Sequence, residues 1–257
     1  MNDIAAELYT KLNETTIAFT IPIFGGIPVP ESVVITWGIM AVLVLFSIIF
    51  VRNLKLAPSG VQVYLETFIG WINNFFTGIL GEGGKMYIPY LGTVLLYIGC
   101  SNIVGLFGLT PPTKDLNVTA GLAIMSIVLV EAAGIKAKGA GGWIKGFAQP
   151  MAFMTPLNVL EIVIKPLSLC MRLFGNVLGS FVIMELIKMV VPVFVPLAFS
   201  FYFDIFDGLL QAYVFVFLTS LYIQEVTGSN AKSAGLQAGD MIYYLEDTKI
   251  ETSSDLQ

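Results

Sequence analysis

Long apolar runs dominate this sequence of 257 residues and restrict what it can fold into. Runs of about 18 residues or more cross the roughly 30 Å hydrocarbon core of a bilayer as α-helices. Charged residues make up 12% of the chain, whereas soluble domains average about 25%. Because lipid offers no hydrogen bonds to an open backbone, spanning segments of this kind are helical. The sequence therefore predicts an all-α membrane protein with several spans.

The apolar runs predict about five membrane helices, at residues 32–51, 86–109, 117–135, 157–190 and 197–226. A further helix, residues 59–79, is rich in aromatic residues but interrupted by polar ones, which is typical of a helix lying at the membrane interface. Before the first span, residues 1–31 form a polar lead with a turn at 24–28. Residues 32–227 are the predicted membrane domain.

Basic residues indicate how the spans are oriented. Arg52 follows the first span, and Lys136, Lys138 and Lys145 follow the third in a Gly-rich loop. The positive-inside rule places both groups in the cytoplasm. We therefore expect a multi-pass protein of the cell (inner) membrane with residue 1 outside.

The last two apolar runs are longer than one membrane crossing needs. Each would form a helix of roughly 45–50 Å at 1.5 Å per residue. The excess over the hydrocarbon thickness has to tilt, kink or lie flat. Pro192 and Pro196 predict a tight reversal between the two runs. The sequence thus predicts a long, strongly tilted hairpin.

Arg172 lies inside the first of these two runs, and it stands on one helical face with Glu161, Lys165 and Asn176. A cation at mid-membrane costs at least roughly 2.5 kcal/mol, and an arginine cannot escape by losing its proton. One alternative is an arginine that snorkels from a helix end. Because apolar sequence continues to Val195, a functional cation is the better interpretation.

Three motifs carry a resemblance to a known family. The stretch from Lys165-Pro166 through Ser168-Leu169 to Arg172–Asn176 resembles the signature of subunit a of the F-type ATP synthase. A loop over Pro112–Thr119 and the run Gln211-Ala212-Tyr213 are similar to two further motifs of that family. The resemblance covers about residues 30–226.

This resemblance implies a proton-translocating stator subunit of the membrane sector. Arg172 would face the carboxylates of the rotating c-ring, and two half-channels would lead ions to and from it. The implied partners are the c-ring, subunit b of the peripheral stalk, H⁺ or Na⁺, and the lipid membrane. The chain has no P-loop, so it is not expected to be an enzyme by itself, and no cofactor is expected.

The predicted ion-translocation residues lie on the last two helices. They are Glu161, Lys165, Arg172, Asn176 and Glu185 on the first helix, and Asp204, Asp207, Gln211 and Tyr213 on the second. Many relatives carry Glu or His where this chain has Phe181, and we expect Glu185, one turn later, to replace that group. The alternatives are a hydrated helix end for the two aspartates and an interface anchor for Lys165.

The tail, residues 228–257, resembles the middle of a PDZ domain. A segment of about 30 residues is too short to form a stable domain core without disulfides, metals or a partner. We therefore interpret it as a truncated fusion or a disordered tail and predict no peptide binding.

Composition narrows the remaining function classes. The chain has no histidine, which excludes HExxH zinc proteases and Ser–His chemistry. The net charge of −5 argues against nucleic acid. Cys100 and Cys170 lie in apolar runs and resemble small core residues. A secondary ion-coupled transporter remains an alternative, although no internal repeat supports it.

Overall fold

The computed structural model describes residues 17–21, 27–52, 54–55, 60–146, 155–190, 194–228, 244–245 and 248–249. Seven α-helices follow one another in this part of the chain: α1 (Glu31–Val51), α2 (Val61–Leu80), α3 (Ile88–Ile103), α4 (Leu116–Gly146), α5 (Thr155–Val190), α6 (Phe194–Ser200) and α7 (Gly208–Thr227). Short 3₁₀ segments lie at Glu82–Tyr87, Val104–Phe107 and Pro112–Lys114, and a π-helical segment lies at Phe201–Asp207.

Five stretches are long and apolar enough to cross a membrane: Glu31–Val51, Gly84–Phe107, Leu116–Ile144, Thr155–Met189 and Ala198–Thr227. The prediction of an all-α membrane protein with five spans is therefore confirmed. Helix α2 falls outside these five, because Gln62, Glu66 and two asparagines lower its hydropathy. Its position at the interface stays a prediction.

Helix α7 lies at the centre of the bundle. It packs most extensively against α3 and α4, and also contacts α2 and α5. Ala212, Phe215, Val216 and Ile223 of α7 are each at most 1% exposed. The other helices contribute a mostly aliphatic core around them, and α4 also packs along α5. The last span is thus held on several sides by the rest of the chain.

Helix α1 packs loosely beside this bundle, with Ile39 as its buried residue. Polar contacts fix its first turns, because Ser32 Oγ donates to Asp115 Oδ2 at 2.6 Å and Thr36 Oγ1 lies 3.1 Å from the hydroxyl of Tyr97. The start of α1 therefore lies at the same end of the bundle as the 3₁₀ turn Pro112–Lys114. Asp115 also caps α4, since its Oδ1 accepts from the backbone N–H of Asn117 at 2.9 Å.

Two details of the predicted connections are wrong. Lys136 and Lys138 lie on α4 and not in a loop, because the helix continues to Gly146 through a break at Gly139, whose φ is +74°. Beyond that break the indole N–H of Trp143 donates to Glu131 Oε2 at 2.8 Å. Pro196 does not form a reversal: it lies in the first turn of α6, where the missing N–H has no helical partner. Residues 191–193, with Pro192, lie outside the described part.

Two small antiparallel hairpins complete the described chain. Strand β1 (Ile17–Ile21) pairs with β2 (Ile27–Pro30), so Phe19 lies opposite Val29. The residues between them, with most of the predicted turn, lie outside the described residues. In the tail, β3 (Tyr244–Leu245) pairs with β4 (Thr248–Lys249). This two-residue ladder lies on either side of Glu246-Asp247, and the PDZ-like interpretation of the tail remains a prediction.

Candidate functional site: the α5–α7 seam and its two cavities

Arg172 lies at the midpoint of α5, a helix of 36 residues that Pro166 does not interrupt. Its side chain is exposed, and the nearby apolar residues Leu167 and Met171 are 56% and 50% exposed. Across the residues that the structure describes, Arg172 makes no hydrogen bond and no ion pair. Helix α5 therefore presents an unpaired cation in the middle of an apolar surface.

One helical turn beyond Arg172, α5 is joined to α7 by a pair of amides. Asn176 Nδ2 donates to Gln211 Oε1 at 2.6 Å. Gln211 is 2% exposed, and its buried Nε2 has no hydrogen-bond partner among the described residues. A buried donor without an acceptor is unfavourable. The seam beside Arg172 therefore holds a buried amide donor without an acceptor among the described residues.

A cavity of about 540 Å³ begins at this amide pair and extends toward the Pro112 end of the bundle. Gln211 lies on its wall, together with the carboxyl groups of Glu185, Asp204 and Asp207. The loop Gly108–Pro111 lines its opposite end. The predicted groups Glu185, Asp204, Asp207 and Gln211 thus face one common space.

The sequence interpretation missed two lysines: Lys188 lines this cavity, and Lys114 contacts Phe181 of its wall. Lys188 Nζ is 3.0 Å from Glu185 Oε1, and the Glu185 side chain is 11% exposed. Lys114 Nζ lies 3.4 Å from the centroid of the Phe181 ring, a cation–π contact. Burial lowers the pKa of Lys114 below its ordinary 10.5, an effect that the charges of Glu185 and Glu31 oppose. At Phe181, where the family resemblance led us to expect Glu or His, the chain therefore has an aromatic ring that holds a cation.

The two aspartates of the cavity lie on the π-helical segment Phe201–Asp207, directly before α7. Ser200 Oγ donates a short hydrogen bond to Asp204 Oδ2. A π-helical segment is rare, and such segments are frequent at functional sites. The alternative of a simple hydrated helix end does not account for this winding.

At the other end of the α5–α7 seam, Lys165 joins two carboxylates. Its Nζ lies 3.3 Å from Glu161 Oε2 on the same helix and 3.0 Å from Glu225 Oε2 on α7. The Lys165 side chain is 17% exposed, so its charge depends on these partners. Lys165 is therefore more than an anchor at the interface, because it ties the two long helices together.

A second, smaller cavity of about 150 Å³ lies beside this cluster. Glu161, Lys165 and Glu225 line it, together with Glu131 and Trp143 of α4. Glu225 was missed in the sequence interpretation, although a lone carboxylate in the last turn of an apolar helix was a usable signal. Tyr213 joins neither cavity: its ring packs 5.5 Å from Phe75 and 5.7 Å from Phe217.

The amide pair predicts a measurable coupling between α5 and α7. We expect Asn176→Ala and Gln211→Ala each to lower stability, and the double variant to lose about 1 kcal/mol less than the sum, because both remove the same hydrogen bond. Thermal unfolding of the purified chain in detergent measures this. As a control, Asn176→Ala and Glu225→Gln, at opposite ends of the seam, should be additive; additivity of the amide pair would contradict the bond.

Comparisons with known proteins show which family this chain is similar to. Residues 33–224 match the family described as ATP synthase A chain. "ATP synthase subunit a, sodium ion specific" of Propionigenium modestum is 35% identical over 219 residues, covering 79% of this chain and 76% of that protein. "ATP synthase subunit a" of Moorella thermoacetica is 36% identical over 200 residues, covering 77% of this chain and 91% of that protein.

"ATP synthase subunit a 1" of Pelobacter propionicus is 37% identical over 199 residues, covering 76% of this chain and 86% of that protein. The matched residues include all five predicted spans except the outermost turns. These matches exclude the alternative that the chain is a secondary transporter. The chain belongs to the ATP synthase A chain family, the non-catalytic stator and ion-channel subunit of the F-type membrane sector.

Proposed function

We propose that Arg172 faces the carboxylates of a c-ring and that the two cavities are the half-channels on either side of it. The observation that carries this proposal is the exposed, unpaired guanidinium at the midpoint of α5. A permanent cation on a lipid-exposed surface is costly. An anion supplied by another subunit removes that cost, and a membrane carboxylate on a rotating ring is such an anion.

The orientation follows from the basic residues. Arg52, Lys136 and Lys138 lie toward the end of the bundle that carries Glu225, and the positive-inside rule makes this the cytoplasmic end. The 540 Å³ cavity then opens outside, and the start of α1 lies outside as well. We propose the cell membrane as the location and subunit b of the peripheral stalk as a further partner.

The outer cavity supplies ions to the ring during ATP synthesis. Glu185, Asp204 and Asp207 can pass a proton, or coordinate Na⁺, along its walls. Gln211 lines this cavity, and its partner Asn176 lies one helical turn beyond Arg172, so the amide pair lies between the cavity and the guanidinium. The ion neutralises a ring carboxylate, which releases it from Arg172 and allows the ring to turn into lipid.

The return of the ring brings each loaded carboxylate back to Arg172 from the other side. The guanidinium favours the charged form of the carboxyl group and so promotes release of the ion. The 150 Å³ cavity with Glu161, Lys165 and Glu225 leads from there to the cytoplasm. Because arginine keeps its proton, Arg172 also prevents protons from passing directly between the two half-channels.

Glu185 provides a test of the outer half-channel. We expect Glu185→Gln to lower ATP-driven ion uptake by inverted membrane vesicles by about 100-fold, as for other positioned proton-transfer groups. Glu66→Gln, an exposed carboxylate on α2, is the matched control and should transport at the parental rate. Parental uptake by Glu185→Gln would show that this carboxylate does not replace the usual group at Phe181.

Gly175 provides a test of the proposed ring contact. It is exposed, one turn beyond Met171, and a Cβ there meets nothing within 4 Å. With Cys100 and Cys170 changed to alanine, we expect Gly175→Cys to form a disulfide with a cysteine near the carboxylate of the c subunit. Leu173→Cys, at a fully buried position, should not. The reverse pattern would place the ring on another face of α5.

A further inference from the structure

Asn102 is a buried polar residue near the end of α3 that lines the 540 Å³ cavity and has no role so far in the proposed ion path. It is 4% exposed, and both ends of its amide are bonded. Its Nδ2 donates to the carbonyl of Gly208 at 2.9 Å, and its Oδ1 accepts from Thr113 Oγ1 at 2.7 Å. Thr113 is fully buried. One side chain thus joins α3, the 3₁₀ turn Pro112–Lys114 and the first residue of α7.

Two glycines allow these segments to approach one another closely: Gly208 lies against Asn102, and Gly105 lies against Asp204. A Cβ at Gly208 would lie 2.7 Å from the Cβ of Asn102, and a Cβ at Gly105 would lie 2.8 Å from Asp204 Oδ1. Both distances are too short for real side chains. Because neither position has a Cβ, Asn102 packs directly on the backbone of the first residue of α7, and the 3₁₀ segment Val104–Phe107 packs on Asp204 of the π-helical segment.

The junction at Gly208 is where π-helical winding changes to α-helical winding. The N–H of Gly208 donates to the carbonyls of Phe203 and Ile205. Asp204 and Asp207 lie before the junction, Gln211 lies after it, and all three line the 540 Å³ cavity. The winding at this point therefore sets how the two aspartates are rotated relative to Gln211.

We propose that Asn102 is a positioning residue of the outer half-channel. Held by Thr113, it fixes the backbone at Gly208 and keeps Asp204, Asp207 and Gln211 facing the same cavity. The same contact ties this junction to the turn Pro112–Lys114, which directly follows the cavity residues Thr110 and Pro111. This inference rests on the proposed function, because it assumes that ions pass along these side chains.

The test uses the complete ATP synthase in inverted vesicles, with ATP-driven ion uptake measured across a range of pH. Asn102→Leu removes both bonds at similar size, and we expect uptake to fall at least about tenfold. Thr113→Val removes one bond and should have a smaller effect, while Thr113→Ser keeps the hydroxyl and should restore the parental rate. In both impaired variants the pH of half-maximal uptake should move by about half a unit, because the surroundings of the aspartates change.

Each outcome decides the proposal. Parental rates and an unchanged pH profile in Asn102→Leu would overturn it. So would a loss of uptake that only matches a loss of subunit from the membrane, because a purely structural residue leaves the pH profile unchanged. If Asn102→Leu does not assemble, the pH profile of Thr113→Val decides in the same way. Parental uptake in Glu185→Gln and in Arg172→Ala would instead reject the proposed function itself.

Discussion

The unpaired charge of Arg172 is the constraint on which the rest of the structure depends. A guanidinium halfway along an apolar helix binds any carboxylate within reach, and an internal partner would remove it from the exposed face. The carboxylates of the seam lie further along it and bind lysines: Glu185 binds Lys188, while Glu161 and Glu225 bind Lys165. The polar side chains next to Arg172 along the seam, Asn176 and Gln211, are neutral amides. Arg172 therefore has no carboxylate partner among the described residues, which leaves it free to bind the anion that we propose another subunit supplies.

The central position of α7 explains how these groups stay in place. α7 is buried by α3 and α4, so the carboxyl and amide groups on its seam are fixed by the bundle and not by α5 alone. Helix α5 can then leave one face exposed along much of its length. The two cavities lie at opposite ends of the same seam, and Arg172 lies between them. In the proposed function, Arg172 separates the two half-channels that these cavities form.

The sequence predicted those features that depend on residues close together in the chain. Hydropathy located the five spans, and helical periodicity placed Glu161, Lys165, Arg172 and Asn176 on one helix, because both signals need only neighbouring residues. Contacts between distant segments could not be predicted in this way. The Lys165–Glu225 pair joins residues 60 positions apart, and the Lys114–Phe181 contact depends on how a loop packs on α5. The break at Gly139 and the π-helical winding before Gly208 likewise depend on tertiary packing.

The most direct measurement compares the two arginines of the chain. ATP-driven ion uptake would be measured in inverted vesicles, with a pH-sensitive dye or radioactive Na⁺, for Arg172→Ala and Arg52→Ala. We expect Arg172→Ala to abolish uptake while ATP hydrolysis by the detached catalytic sector is intact. We expect Arg52→Ala to keep the parental rate of uptake. Uptake at the parental rate in Arg172→Ala would contradict the proposed role of Arg172, because the exposed guanidinium would then have no part in moving the ion.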